Sequence, residues 1–240
     1  MSVEPAVPRG LHGQVVHTIG LSIVSGDLAA GEQIVPEEIG ARYGVSRPVV
    51  REALRVLESK GMVAARPKTG TRVLPVERWN LLDHDVILWR VQGPGWESQL
   101  RDLLDLRAAV EPMAARRCAE SSDDTRAKGL ADRCDEMEQA VRSNDSQAFT
   151  RADIEFHTLL LAGAGNRVLA QISGAIEAAL KARESLHLMP DHLGHEAVSS
   201  HRHIVDAIAG ADPDRAEAAA RALIQVAGAE ITERLTHIAI

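Results

Sequence analysis

Residues Ala41 to Leu57 read ARYGVSRPVVREALRVL, and this run constrains the fold more than any other. Gly44 supplies a tight turn, Ser46 stands where a helix cap is wanted, and Pro48 fits a first helical turn, where a missing N–H costs nothing. Arg47, Arg51 and Arg55 recur every four residues and form one basic stripe. Val50, Leu54 and Leu57 form the apolar stripe behind it. An amphipathic, basic-faced helix entered through a sharp turn is the second half of a helix-turn-helix, shaped to lie in a DNA major groove.

Charge distribution agrees with that reading although total charge does not. The 240-residue chain carries a formal net charge of −7, but residues 42–72 hold eight Lys or Arg against two acids. The local field, not the total, decides where a polyanion docks. Aromatic residues make up only 2% of the chain while hydrophobic residues make up 45%. With Ala and Leu abundant, that composition favours helix over sheet. Cys118 and Cys134 have no metal-binding spacing and read as reduced packing residues. No run approaches the roughly 18 apolar residues of a membrane helix, so a soluble, cytoplasmic protein is expected.

Periodicity predicts helices over Leu11–Val24, Pro36–Tyr43 and Arg47–Lys60, then a two-stranded ribbon over Met62–Leu74 turning at Pro67-Lys68-Thr69-Gly70. Three helices and a hairpin make a winged helix. Arg66 and Lys68 beside Gly70 give the wing a basic tip suited to close approach to DNA. Residues 75–78 read as a linker and 79–91 as one or two short helices. Longer helical periods follow at 96–120, 123–143, 145–163, 166–188, 194–209 and 213–237. The expected fold is mainly α: a winged helix-turn-helix over 1–76 and an antiparallel bundle of six or seven helices over 77–240.

Within the bundle, Asp153 and His157 stand at i and i+4 on one helical face among Phe149, Ile154, Phe156 and Leu160. His201 falls on the apolar stripe of Val198, Ile204, Val205 and Ile208. An acid and two imidazoles converging in a bundle suit a divalent metal such as zinc, nickel or manganese. A buried Asp–His hydrogen bond without metal fits the same spacing. His203 lies off the stripe, and His187, His192 and His195 show no ligand spacing. Arg107 sits among Leu100, Leu103, Leu104, Leu106, Val110 and Met113 and needs a partner, either Glu111 one turn on or a ligand carboxylate.

Several motifs together resemble one family. They are Gly26 to Glu32, Gly44 to Glu58, the Gly61–Val73 wing, Leu106-Arg107…Glu111-Pro112 with Ala114-Ala115, Asp153…Phe156-His157, Gly165-Asn166 and His201-Arg202…Ile204. They are similar to the GntR superfamily of bacterial transcription regulators, in its FadR-like branch with an FCD-type effector domain. The segment Arg78 to Trp89 further resembles the galactonate-type regulators of that branch. The resemblance implies DNA contacts by Ser46, Arg47, Pro48, Arg51, Arg55, Lys68 and Gly70. It implies effector contacts by Arg107 and Asn166, and metal ligation by Asp153, His157 and His201. Leu223 stands where the resemblance leads one to expect a fourth ligand, so the divalent ion would have three protein ligands, be weakly held or be absent.

The implied protein is a homodimeric, ligand-responsive regulator, and a repressor in the first instance. Its partners would be palindromic double-stranded operator DNA and a small organic or sugar acid. A regulator with no metal and an empty or acyl-type pocket is an alternative. A metal-dependent hydrolase with an accessory DNA-binding domain is another, but the sequence offers no HExxH and no second carboxylate placed as a base.

Overall fold

A computed structural model of the chain describes residues 10–66, 70–121, 124–186, 188 and 194–238. These fall into two compact units that divide between Gln99 and Leu100.

The first unit contains α1 (Leu11–Ser25), β1 (Gln33–Ile34), α2 (Pro36–Tyr43), α3 (Arg47–Ser59), β2 (Val63–Arg66), β3 (Gly70–Val73), a 3-10 turn at Val76–Arg78 and α4 (His84–Arg90). Helix α2 ends at Gly44, whose φ of 66° is the left-handed conformation that lets the chain reverse into α3. Val50, Ala53, Leu54 and Leu57 of α3 are buried against Val15, Val16, Ile19 and Ile23 of α1. The sheet has three strands in the order β1-β3-β2, all antiparallel. The expected two-stranded ribbon therefore gains an edge: Gln33 pairs with Arg72 and Ile34 with Thr71. Two residues are too few to show alternation, which is why that strand has no sequence signal. Ser46 occupies the N-cap position of α3 in extended conformation, but its side chain makes no capping hydrogen bond.

Residues 77–99, read from sequence as the start of the second domain, pack with the first unit. Val86 and Trp89 of α4 belong to its core, and the Trp89 indole N–H donates to His17 Nδ1 at 2.9 Å. Asp83 caps α4 by accepting from the backbone N–H groups of Asp85 and Val86. The same carboxylate receives Lys60 Nζ at 2.8 Å, and Asp85 receives it at 2.8 Å. Lys60 follows the last turn of α3, so this ion cluster fastens α4 to α3. Hydrogen bonding from His84, burial acting against it, and the Lys60 charge together leave the Asp85 carboxyl well below the usual range.

The second unit contains α5 (Trp96–Ser121), α6 (Asp124–Ser143), α7 (Ser146–Gly163), α8 (Arg167–Ser185), α9 (His195–Ala209) and α10 (Pro213–Ile238). Helix α7 packs on α6 and α8, and α9 packs on α6 and α10. Helix α5 meets α7 through Cys118 and Arg117, which reach the carbonyls of Leu160 and Ala164. Phe156, Leu160, Leu161, Leu130, Met137 and Ile204 are fully buried between the layers. Both cysteines are buried thiols, and burial pushes the Cys134 thiol up to about 12. They pack, as expected.

Two glycines separate close packing from mere helical position. A Cβ on Gly20 would lie 2.6 Å from the Trp89 ring, whereas one on Gly174 would meet nothing within 4 Å. Gly20→Ala should destabilise the first unit by roughly 1–3 kcal/mol through overpacking. Gly174→Ala should stabilise α8 by up to about 1 kcal/mol through helix propensity. Urea unfolding of the two variants checks the opposite signs.

Candidate functional site

On the first unit, Arg47, Arg51 and Arg55 all point outward. Arg47 lies 3.4 Å from Glu37 and Arg55 lies 2.8 Å from Glu52, but the arginine side chains remain 70% and 74% exposed. Ion pairs that open to water are weak and screened by salt, so a phosphate can replace the carboxylate partner. Arg51, Arg55 and Gly70 line one cleft of about 520 Å³ between α3 and the sheet. Glu58 braces this cleft by accepting from the backbone N–H of Ala65 at 2.9 Å. Gly70 has a φ of 76°, a conformation that strains other residues, and it faces the end of the Gln33 side chain. Ser46 and Pro48 are exposed at the start of α3. Lys68 lies outside the described residues.

In the second unit, three helices bring Arg107, Glu111, Asp153, His157 and His201 together. All five are buried, none more than 6% exposed. Glu111 holds two of them. Its Oε1 accepts from Arg107 Nε at 2.6 Å, and its Oε2 lies 2.8 Å from His157 Nδ1. His201 Nδ1 lies 2.7 Å from the Ala197 carbonyl. Each imidazole therefore spends its Nδ1–H on a fixed acceptor and turns Nε2 inward, the arrangement that orients metal-ligating histidines.

Both inward nitrogens face one carboxylate oxygen. Asp153 Oδ1 is 3.3 Å from His157 Nε2 and 2.9 Å from His201 Nε2. Ligands about 2.0–2.2 Å from a tetrahedral zinc ion lie roughly 3.3–3.6 Å apart, so the first spacing already matches and the second needs a small widening. The donor set fits a divalent ion. Leu223, buried on α10, lines the same cavity and offers no donor, so three protein ligands are available.

The electrostatics are tightly opposed. Burial raises the cost of charging Asp153, but hydrogen bonds and charge from His157 and His201 prevail and hold it well below its ordinary value. Burial acts the same way on Glu111, and Arg107 with His157 brings it down to about 2. Burial pushes His157 down, yet the charge of Glu111 and the hydrogen bond to Asp153 raise it overall. Arg107 presses the other way, with Nη2 only 2.9 Å from His157 Nε2.

Arg107, Asp153, His157 and His201 line a cavity of about 170 Å³ with Phe149, Arg183, Ser200, Leu223 and Glu230 among its walls. Arg107 has Glu111 as its partner, as one of the two sequence readings expected, and it also lines that cavity. Asn166 is a correction. It does not line the cavity; its side chain caps α8 by accepting from the N–H groups of Val168 and Leu169. His195 is exposed and pairs with Glu138, and His203 is exposed. His187 and His192 lie outside the described residues. Sequence spacing did reveal Glu111 as a partner of Arg107. It carried no sign that the same carboxylate orients His157 on another helix.

Residues 11–73 match the family described as "Bacterial regulatory proteins, gntR family", and residues 102–226 match the FCD domain. The galactonate operon transcriptional repressor of Escherichia coli (strain K12) is 31% identical over 227 residues, covering 94% of this chain and 96% of that protein. The chain belongs to the GntR family. The HTH-type transcriptional repressor NanR of Salmonella newport is 31% identical over 90% of this chain and 83% of that protein. Among solved structures, the fold is shared with Lar, which controls expression of the Listeria monocytogenes agr system. That match has a TM-score of 0.62 and 17% identity, over 94% of this chain and 98% of that one. The regulator is thus an operator-DNA-binding protein rather than an enzyme. Among its described residues no helix is long and apolar enough to cross a membrane.

The buried network yields a stability test. Glu111→Gln removes the carboxylate paired directly with buried Arg107 and should cost about 3 kcal/mol or more. In an Arg107→Met background the same change should cost much less, because the charge it strands is gone. Asn166→Ala should cost about 1 kcal/mol, the usual loss for a helix cap, and leave ligand binding unchanged. Denaturant unfolding of the cycle reads these effects.

Proposed function

We propose that the regulator is a homodimeric repressor that releases a palindromic operator when a small sugar acid or related organic acid binds the FCD cavity. In this reading Arg47, Arg51 and Arg55, with Lys68 and Gly70 of the wing, contact the duplex, and Ser46 and Pro48 begin the helix that enters the groove. Asp153, His157 and His201 hold a divalent ion, and Arg107 grips the effector carboxylate.

The convergence of Asp153, His157 and His201, each imidazole turned by a fixed acceptor, carries the metal part of this reading. Bound there, the ion would supply a Lewis-acidic anchor for an oxygen ligand. Charge accounting supports a single carboxylate as the partner. Two buried carboxylates, one guanidinium and two neutral imidazoles sum to −1. A divalent ion makes this +1, and one carboxylate brings it to zero. Buried charge is stable only when so compensated. Cavity size argues in the same direction. At about 170 Å³ it is smaller than the roughly 300–1,000 Å³ of drug-sized pockets and suits a small metabolite better than a long acyl chain. The printed function of the Escherichia coli relative, a galactonate operon repressor, supports a sugar acid.

The effector acts only through differential affinity for two arrangements of the dimer. Its test combines metal analysis of the purified protein with gel shifts in the presence and absence of D-galactonate. The expected result is about one divalent ion per chain and loss of the operator complex with effector. Arg47→Ala or Arg51→Ala should weaken operator binding by roughly 1–3 kcal/mol where a base is read. Where a phosphate is neutralised instead, the salt slope should become shallower. Arg107→Gln should tighten the metal, because Nη2 no longer competes for His157 Nε2, while weakening the acid. Metal titration by calorimetry showing unchanged or weaker affinity in that variant would contradict the assigned role.

A further inference from the structure

Exposure divides the FCD cavity into two ends. Arg107, Asp153, His157 and His201 are buried, whereas Glu196 is exposed and the Glu230 side chain is 37% exposed. Arg183, 12% exposed, lies between those extremes on the cavity wall. Its Nη2 is 2.5 Å from Glu230 Oε2, and its Nε faces the Leu188 carbonyl at 3.5 Å. A neutral donor–acceptor pair therefore stands at the open end, on α8 and α10, with the Ser200 hydroxyl also on the lining.

We infer that the Arg183–Glu230 pair is a hydroxyl-reading subsite that restricts the effector to a monocarboxylate with a hydroxylated tail. This rests on the reading that the inner end takes a carboxylate. A hydroxyl both donates and accepts, so it can accept from Arg183 and donate to Glu230 without bringing charge. A second carboxylate only accepts. It would lie against Glu230 with Glu196 near the mouth, after the inner carboxylate has already neutralised the buried set. An alkyl tail would displace water from the pair without offering it a hydrogen bond in return. The opposite wall, Leu223, Val226 and Ala227, is apolar and suits the carbon face of an extended sugar acid.

The test is calorimetric titration of metal-loaded, full-length protein with three six-carbon probes: D-galactonate, galactarate and hexanoate. The wild type should bind galactonate at least about tenfold tighter than either of the others. Glu230→Gln keeps the shape and removes the charge. It should lower the galactonate-to-galactarate preference by about tenfold, mainly by tightening galactarate. Arg183→Met should weaken galactonate and leave hexanoate unchanged or tighter. Wild-type protein that binds galactarate or hexanoate as well as galactonate overturns the inference without any variant. So does a Glu230→Gln protein, folded by its melting curve, whose preference is unmoved. If the wild type binds none of the probes and Arg107→Gln is equally silent, the carboxylate site itself fails and the outer subsite falls with it.

Discussion

The Glu111 carboxylate is the point on which the second unit turns. One oxygen neutralises Arg107 and the other fixes the tautomer of His157. Remove it and two separate problems appear. A buried guanidinium loses the carboxylate it is bonded to, and an imidazole on α7 loses the bond that aims Nε2 at Asp153. Glu111 is fully buried, so both bonds lie inside the bundle, where losing a polar partner is costly. A buried ion network contributes little net stability compared with apolar packing of the same volume. Its presence inside an otherwise apolar bundle is better explained by what it positions. Phe156 reinforces the geometry, its ring meeting both His157 and His201 edge-on and limiting how either imidazole can turn.

In the first unit the corresponding constraint is Lys60. It closes the recognition helix and reaches two carboxylates on the segment that leads to and opens α4. Trp89 of that helix fills the space left by Gly20, and Gly61 cannot carry a side chain because the Arg78 carbonyl would lie 2.3 Å from its Cβ. Arg47, Arg51 and Arg55 sit on the outer surface of the same helix. Its inner surface is thus fully committed to packing and ion pairing, while its outer surface makes only solvent-exposed pairs. That division lets one short helix be rigid and still exchange its surface partners.

Much of this was legible in the sequence because it depends on local spacing. The turn at Gly44, the arginine repeat and the apolar stripe of α3 are written within one short window, and α5 to α10 follow their helical periods closely. The Asp153 and His157 pair is visible for the same reason. What sequence hides is pairing between distant segments. β1 is too short to alternate, the hold of Lys60 on Asp83 and Asp85 crosses a turn that reads as a linker, and Arg183 meets Glu230 from another helix. Asn166 misleads in an instructive way. Its neighbour Gly165 has a φ of 65°, so the two residues form a helix boundary, and a boundary can be as regular a feature of a motif as a binding site.

Leu223 bears on what kind of centre this can be. Four protein donors would close a tetrahedral site and make the ion structural, indifferent to what enters the cavity. With three donors facing an apolar wall, an ion held there would have room for an incoming oxygen, so on the proposed reading occupancy by a small acid and retention of the ion would depend on each other. Arg107 makes that dependence sharper. Its Nη2 rests against His157 Nε2, the atom the ion requires, while Glu111 holds its Nε in place. On the proposed reading, an ion held at His157 Nε2 would have to displace that terminal nitrogen, on a side chain that already lines the cavity. The displaced guanidinium would then be free for a carboxylate, and by linkage each ligand would favour the other.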